Sequence, residues 1–205
     1  TRRSSDLWSR FMVTADPDGS GLKLALSPGR WAPGGHHPTW HPNGRQILMN
    51  LKDETGVLRF YCLNQDGSGE YPVRSDLEGG GHPTIHVEGN ILVSDAYVEE
   101  GISRKNDEVP IRLCQIDSDL ERTLFDLPVI AESSRSPVKR DCGIENTPAM
   151  PGYTLNDVSK KQSELDVYRL DPHPAWNRTF DKLCLNATPN GVRQVVITDI
   201  SEYLR

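Results

Sequence analysis

The stretch HHPTWHPNGRQILMNL, residues 36–51, places three of the chain's six histidines ahead of an apolar run. A His-Pro pair, a small residue and a large apolar residue lead into a polar turn, and a strand-like segment follows. Two further segments keep this order: HPTIHVEGNILVSDA from His82 and HPAWNRTFDKLCLNA from His173. His37 and His82 are 45 residues apart, and His82 and His173 are 91 apart, close to two such periods.

A second half follows each copy. LRFYCLNQDGSGEYPV comes after the first, IRLCQIDSDLERTLFDL after the second and RQVVITDIS after the third, while RFMVTADPDGSGLKLAL near the N-terminus matches a second half alone. A unit of about 45 residues carrying four short strands split by turns is the pattern of a propeller blade. Such a unit cannot bury both of its faces alone, so blades must stack around an axis. The expectation is an all-β fold: a β-propeller of four-stranded antiparallel blades. Residues 1–30 would end one blade, 31–77 and 78–130 would form two complete ones, and 167–205 would form a final blade of three strands. Residues 131–166 show little strand pattern and read as an insertion. Three to three and a half blades are fewer than the four to eight of a closed ring. The chain therefore reads as the C-terminal half of a single larger propeller domain, with the missing N-terminal blades as a second chain or a lost segment.

Within this frame Asp18-Gly19 and Asp66-Gly67 are hairpin turns. Trp40, Ile85 and Trp176 share one blade position and are expected in the core. Cys62, Cys114 and Cys184 fall in strand-like runs and are expected to be buried as small apolar residues. Cys142 lies in the insertion and is a candidate ligand or reactive thiol.

The composition agrees with a turn-rich β protein: 36% hydrophobic, 25% charged, 17 glycines and 15 prolines in 205 residues. A net charge of −6 argues against nucleic-acid binding, which needs a basic face. No apolar run reaches the 18 residues of a membrane span. TRRSSDLWSR has basic residues but no apolar segment behind them, so it is not a signal peptide as it stands. A periplasmic, secreted or cytoplasmic setting stays open. There is no GxSxG nucleophile elbow.

The HPTWHPNG run (His37–Gly44) resembles the HPxWSPDG blade openings of TolB-type propellers. RFMVTADPDGSG, GGHHPTWHPNGR, GGGHPTIH and DPHPAWNRTFDKLCLNATPNGVRQVVITDIS resemble, more narrowly, the oligogalacturonate lyases and related uronate-cleaving polysaccharide lyases. The likeness covers most of residues 7–95 and 167–201. It implies a seven-bladed propeller that cleaves acidic oligosaccharides by β-elimination with a divalent metal, usually Mn²⁺. In that family histidines of neighbouring blades and an amide side chain hold the metal. The resemblance places one ligand on His82 in GGGHP and another on His173 in DPHP. It puts Asp171 where the family has a further histidine, and Tyr168 where it has a glutamine. A site built from His37, His82, Asp171 and His173 would suit Mn²⁺, Zn²⁺ or Ca²⁺.

Removing a proton beside a carboxylate needs a base near neutral pKa and a counter-charge for the developing enolate. The resemblance implies an arginine or histidine base, and His36 and His37 are the candidates. Arg10 or Arg30 could clamp the substrate carboxylate through two parallel bonds. Trp31, in a loop outside the strand pattern, is the candidate for stacking on a sugar ring. The competing reading is structural: repeated His-Pro would cap each blade entrance, Asp171 would cap a turn, and His41 and His86 would be turn residues. The matching alternative in function is a non-catalytic TolB-type propeller that binds a protein or glycan partner.

Overall fold

A computed structural model describes residues 10–96, 108–128, 171–187 and 194–204. They form four antiparallel sheets whose strands follow one another in chain order. The first sheet holds β1 (Met12–Thr14) and β2 (Lys23–Leu26), followed by a single helical turn, α1 (Pro28–Trp31). β3 (Gly35–Trp40), β4 (Gln46–Lys52), β5 (Leu58–Asn64) and β6 (Tyr71–Pro72) form the second sheet. The third contains β7 (Thr84–Ile85), β8 (Ile91–Ser94), β9 (Glu108–Gln115) and β10 (Glu121–Pro128). β11 (Ala175–Trp176), β12 (Lys182–Ala187) and β13 (Gln194–Asp199) make the fourth. The all-β architecture and its four-stranded antiparallel sheets are those read from the repeat.

The second strand of each complete sheet explains how the sheets stack. Five consecutive residues of β4, Ile47 to Leu51, are buried, as expected of a strand covered on both faces. Ile47, Met49 and Leu51 join Ala25 and Leu26 of the first sheet, whereas Leu48 joins Ile85, Leu92 and Cys114 of the third. β8 repeats the division: Leu92 faces the second sheet, and Ile91 and Val93 pack with Leu183, Leu185 and Ala187 of the fourth. Three apolar layers thus alternate with four sheets. Phe60, 1% exposed, fills the layer between the second and third. Phe60→Ala should cost about 4 kcal/mol, lost burial plus residual cavity, read as a lower denaturant midpoint at unchanged slope.

Hairpins at both Asp-Gly pairs join β1 to β2 and β5 to β6. Gly19 and Gly67 donate backbone bonds across those turns to Asp16 and Asn64 at 2.8 and 2.9 Å. Cys62 and Cys114 are buried, and burial pushes each thiol up to about 11. Cys184 is only half-buried. A thiolate is the reactive form, so native protein treated with N-ethylmaleimide should leave Cys62 and Cys114 unmodified, and unfolding should expose both to labelling. Cys142 and the 131–166 insertion lie outside the described residues.

One core expectation needs correcting. Trp40, Ile85 and Trp176 do occupy one register position, opposite Ile47, Leu92 and Leu183. Ile85 is buried and Trp176 packs against the core, but Trp40 is 52% exposed. The second sheet covers Ile85, whereas the two described strands of the first sheet do not reach over Trp40.

Candidate metal centre

The GGGHP segment, residues 79–83, is held by polar groups of the strands beside it. Arg112, buried on β9, donates through Nη2 to the Glu78 carbonyl at 3.1 Å. Gly79 N–H donates to the Leu58 carbonyl at 2.8 Å. The Ser94 hydroxyl donates to the Gly80 carbonyl at 2.7 Å, and the buried Asn50 amide donates to the Gly81 carbonyl at 2.9 Å. The Asp95 carboxylate accepts the backbone N–H of His82. Gly81 adopts φ +59°, and a Cβ there would lie 2.2 Å from Asp95 Oδ1 and 2.3 Å from its carbonyl oxygen. The loop can run this close only because residue 81 has no side chain.

His82 leaves this loop with its ring stacked on two others. The His37 ring centroid lies 3.8 Å away and that of His173 lies 3.3 Å away. His37 and His173 both sit at positive φ, 53° and 48°, an uncommon conformation for a residue with a Cβ. Among the described residues Phe180 is the other non-glycine at positive φ, so two of the three such positions carry imidazoles that stack on His82. Ligand atoms of His82, Asp171 and His173 all lie within 4.8 Å of one another. Two imidazoles and a carboxylate are a donor set that would suit a borderline divalent cation. The donor set therefore fits a metal. His37 is not one of those three, although its ring covers His82.

His37 Nδ1 lies 2.8 Å from the Gly81 carbonyl oxygen and 2.8 Å from His36 Nδ1. A carbonyl only accepts, so this contact is a hydrogen bond when His37 carries its hydrogen on Nδ1, which leaves Nε2 as the basic nitrogen. Asn50 Nδ2 lies 3.4 Å from His36 Nδ1, so one amide side chain steadies both the loop and the histidine pair.

Burial lowers the pKa of His37 and of His173. It does the same to His41, whose Nδ1 accepts the Asn43 N–H at 3.1 Å. Their folded values lie below the roughly 6.5 of a free imidazole, so the unfolded chain takes up protons first. Stability present above that value is lost as pH falls. The metal-free protein should melt progressively lower from pH 7 to pH 5, and by less in His41→Asn, as followed by circular dichroism.

The remaining candidates lie apart from these bonds. Arg30, on α1, pairs through Nε with Glu70 at 2.8 Å, donates through Nη1 to the Lys52 carbonyl at 2.8 Å and lies over the Tyr61 ring. Arg10 is exposed just ahead of β1. Trp31 packs against the layer between the first two sheets and donates its indole N–H to the Gly35 carbonyl at 3.0 Å. His86 makes edge contacts with Trp176 and Phe180. Tyr168 lies outside the described residues. Asp95 is the group that sequence reading passed over.

No protein-family model matches the chain, and neither does any curated protein. Among solved structures it is similar to an oligogalacturonate lyase from Vibrio parahaemolyticus, with 15% identity and a TM-score of 0.56 over 98% of this chain and 44% of that one. An oligogalacturonate lyase in complex with manganese gives 12% identity and a TM-score of 0.57 over 97% and 43%. TolB from Acinetobacter baumannii gives 16% identity and a TM-score of 0.46 over 93% and 46%. The fold is therefore that of a β-propeller, a likeness that rests on the two lyases. The chain spans less than half the length of each of these structures.

Proposed function

We propose that the chain is part of a metal-assisted polysaccharide lyase that cleaves uronic-acid oligosaccharides by β-elimination. The convergence of His82, Asp171 and His173 carries this reading. A divalent ion held there would offset the charge that develops on the substrate carboxylate as its neighbouring proton leaves. Mn²⁺ is the first choice, because one of the similar lyases is a manganese complex; Zn²⁺ and Ca²⁺ are the others to test. His37, whose pKa burial lowers, would take the proton through Nε2, with His36 Nδ1 2.8 Å from its Nδ1. In this reading Trp31 stacks on a sugar ring, and Arg10 is the better carboxylate clamp, because Arg30 would first have to release Glu70.

The domain organisation read from the repeat supplies the rest. On β12 and β13, Cys184, Val195 and Ile197 share the outward face that carries packed side chains in the inner sheets, and Val195 and Ile197 are 66% and 67% exposed. At the other end Val13, 50% exposed, pairs with Leu24, 52% exposed. Further blades, on the same or a second chain, would cover both faces. Sedimentation should show self-association that falls in the double variant Val195→Lys, Ile197→Lys.

The reaction is tested by adding Mn²⁺ and pectate oligomers to the chain with its full complement of blades and following the ultraviolet absorbance of an unsaturated product. Activity that disappears in His37→Ala and in His173→Ala supports the lyase. Metal binding without turnover of any uronate oligomer would favour the second reading, a non-catalytic propeller that binds a protein or glycan.

A further inference from the structure

Asp95 lies one residue beyond β8 and is 1% exposed. The repeat defines its place. With Trp40 opposite Ile47, Ile85 opposite Leu92 and Trp176 opposite Leu183, the residues three positions further on are Asn50, Asp95 and Asn186. The two asparagines do one job: each donates through its amide to a carbonyl just ahead of a first strand. Asn50 reaches the Gly81 carbonyl at 2.9 Å, and Asn186 reaches that of Asp171 at 3.2 Å. A carboxylate has no hydrogen to give and does the reverse. Asp95 accepts the backbone N–H of His82 on Oδ1 and that of His173 on Oδ2, the latter at 3.0 Å. The His82 ring nitrogen Nδ1 lies 3.1 and 3.0 Å from the same two oxygens.

We propose that Asp95 is the positioning residue of the metal centre. It holds the hydrogen of His82 on Nδ1, which leaves Nε2 as the nitrogen that would ligate an ion. By gripping the His173 backbone it also ties a ligand segment from the fourth sheet to one from the third. The inference rests on the metal reading of His82, Asp171 and His173. A carboxylate behind a metal-bound imidazole sets its tautomer and raises its basicity. A role confined to tethering two loops would need the backbone bonds only, and the ring would be indifferent to the change from carboxylate to amide.

The test is long-range proton–nitrogen correlation spectroscopy on the ¹⁵N-labelled, metal-free protein, combined with Mn²⁺ titration calorimetry. The His82 signals are assigned by their absence in His82→Ala. Wild type is expected to show His82 protonated on Nδ1. Asp95→Asn keeps the size but offers an N–H group to the ring. It should lose that tautomer and bind Mn²⁺ about 10–100-fold more weakly. If wild-type His82 carries its hydrogen on Nε2, the proposal falls without any variant being needed. It also falls if folded Asp95→Asn keeps both tautomer and affinity. A wild-type Nδ1 tautomer in a protein that binds no Mn²⁺ would support the orienting role of Asp95 and overturn the metal reading instead, so the two failures are distinguishable.

Discussion

Replacing His82 with alanine is expected to weaken Mn²⁺ binding by at least about a hundredfold while the four sheets stay folded. Of the three candidate ligands, His82 is held by its loop, by Asp95 and by ring contacts on both sides. Its removal takes away one of three converging donors and leaves the Asp95 carboxylate with two backbone partners. Because the carboxylate keeps those bonds, the loss of stability should stay near 1–2 kcal/mol. Titration calorimetry measures the first effect and thermal unfolding the second. The opposite pattern, unchanged affinity in a strongly destabilised protein, would make His82 a structural residue.

The second large effect is at Gly81. A methyl group at this residue meets two oxygens of Asp95 at distances no real contact shows, one of them on the backbone, and φ is positive as well. Gly81→Ala should cost about 3 kcal/mol or more. In a chain of this size that lowers the melting temperature by on the order of 10 °C. Metal affinity should fall with it, because the loop that carries His82 must move. Gly44 separates the two causes: its φ is +69°, but nothing lies within 4 Å of a Cβ built there. Gly44→Ala should therefore show the conformational cost alone, about 1 kcal/mol. Calorimetric melting curves of the two variants give the comparison directly.

The repeat made the strands legible because its period is long and its turns carry Asp-Gly and Asn-Gly. It also made His82 and His173 legible, since residues at one blade position recur around the axis. Asp171 came only from its place in DPHP, two residues before His173. Asp95 was hidden for a different reason. Read from the histidines alone, NILVSDA appears as an apolar strand running out into a loop. Its kinship with Asn50 and Asn186 emerges only when the strands are paired through Trp40, Ile85 and Trp176. An alignment of second strands by register would have shown one acid among two amides. The engagement of Arg30 was equally invisible, because Glu70 is 40 residues away along the chain and meets it only through the fold. Trp40 was misread because its burial depends on what the neighbouring sheet places over it, not on its own periodicity.

His82, Asp171 and His173 are proposed to hold one divalent cation. Diffraction from crystals soaked in Mn²⁺, recorded at wavelengths on either side of the manganese absorption edge, tests this most directly. One anomalous peak per chain is expected between His82 Nε2, His173 and the Asp171 carboxylate, absent from His173→Ala crystals grown in the same way. Peaks elsewhere, or none at this position at saturating Mn²⁺, would contradict it and leave the stacked imidazoles as a structural feature of the loop.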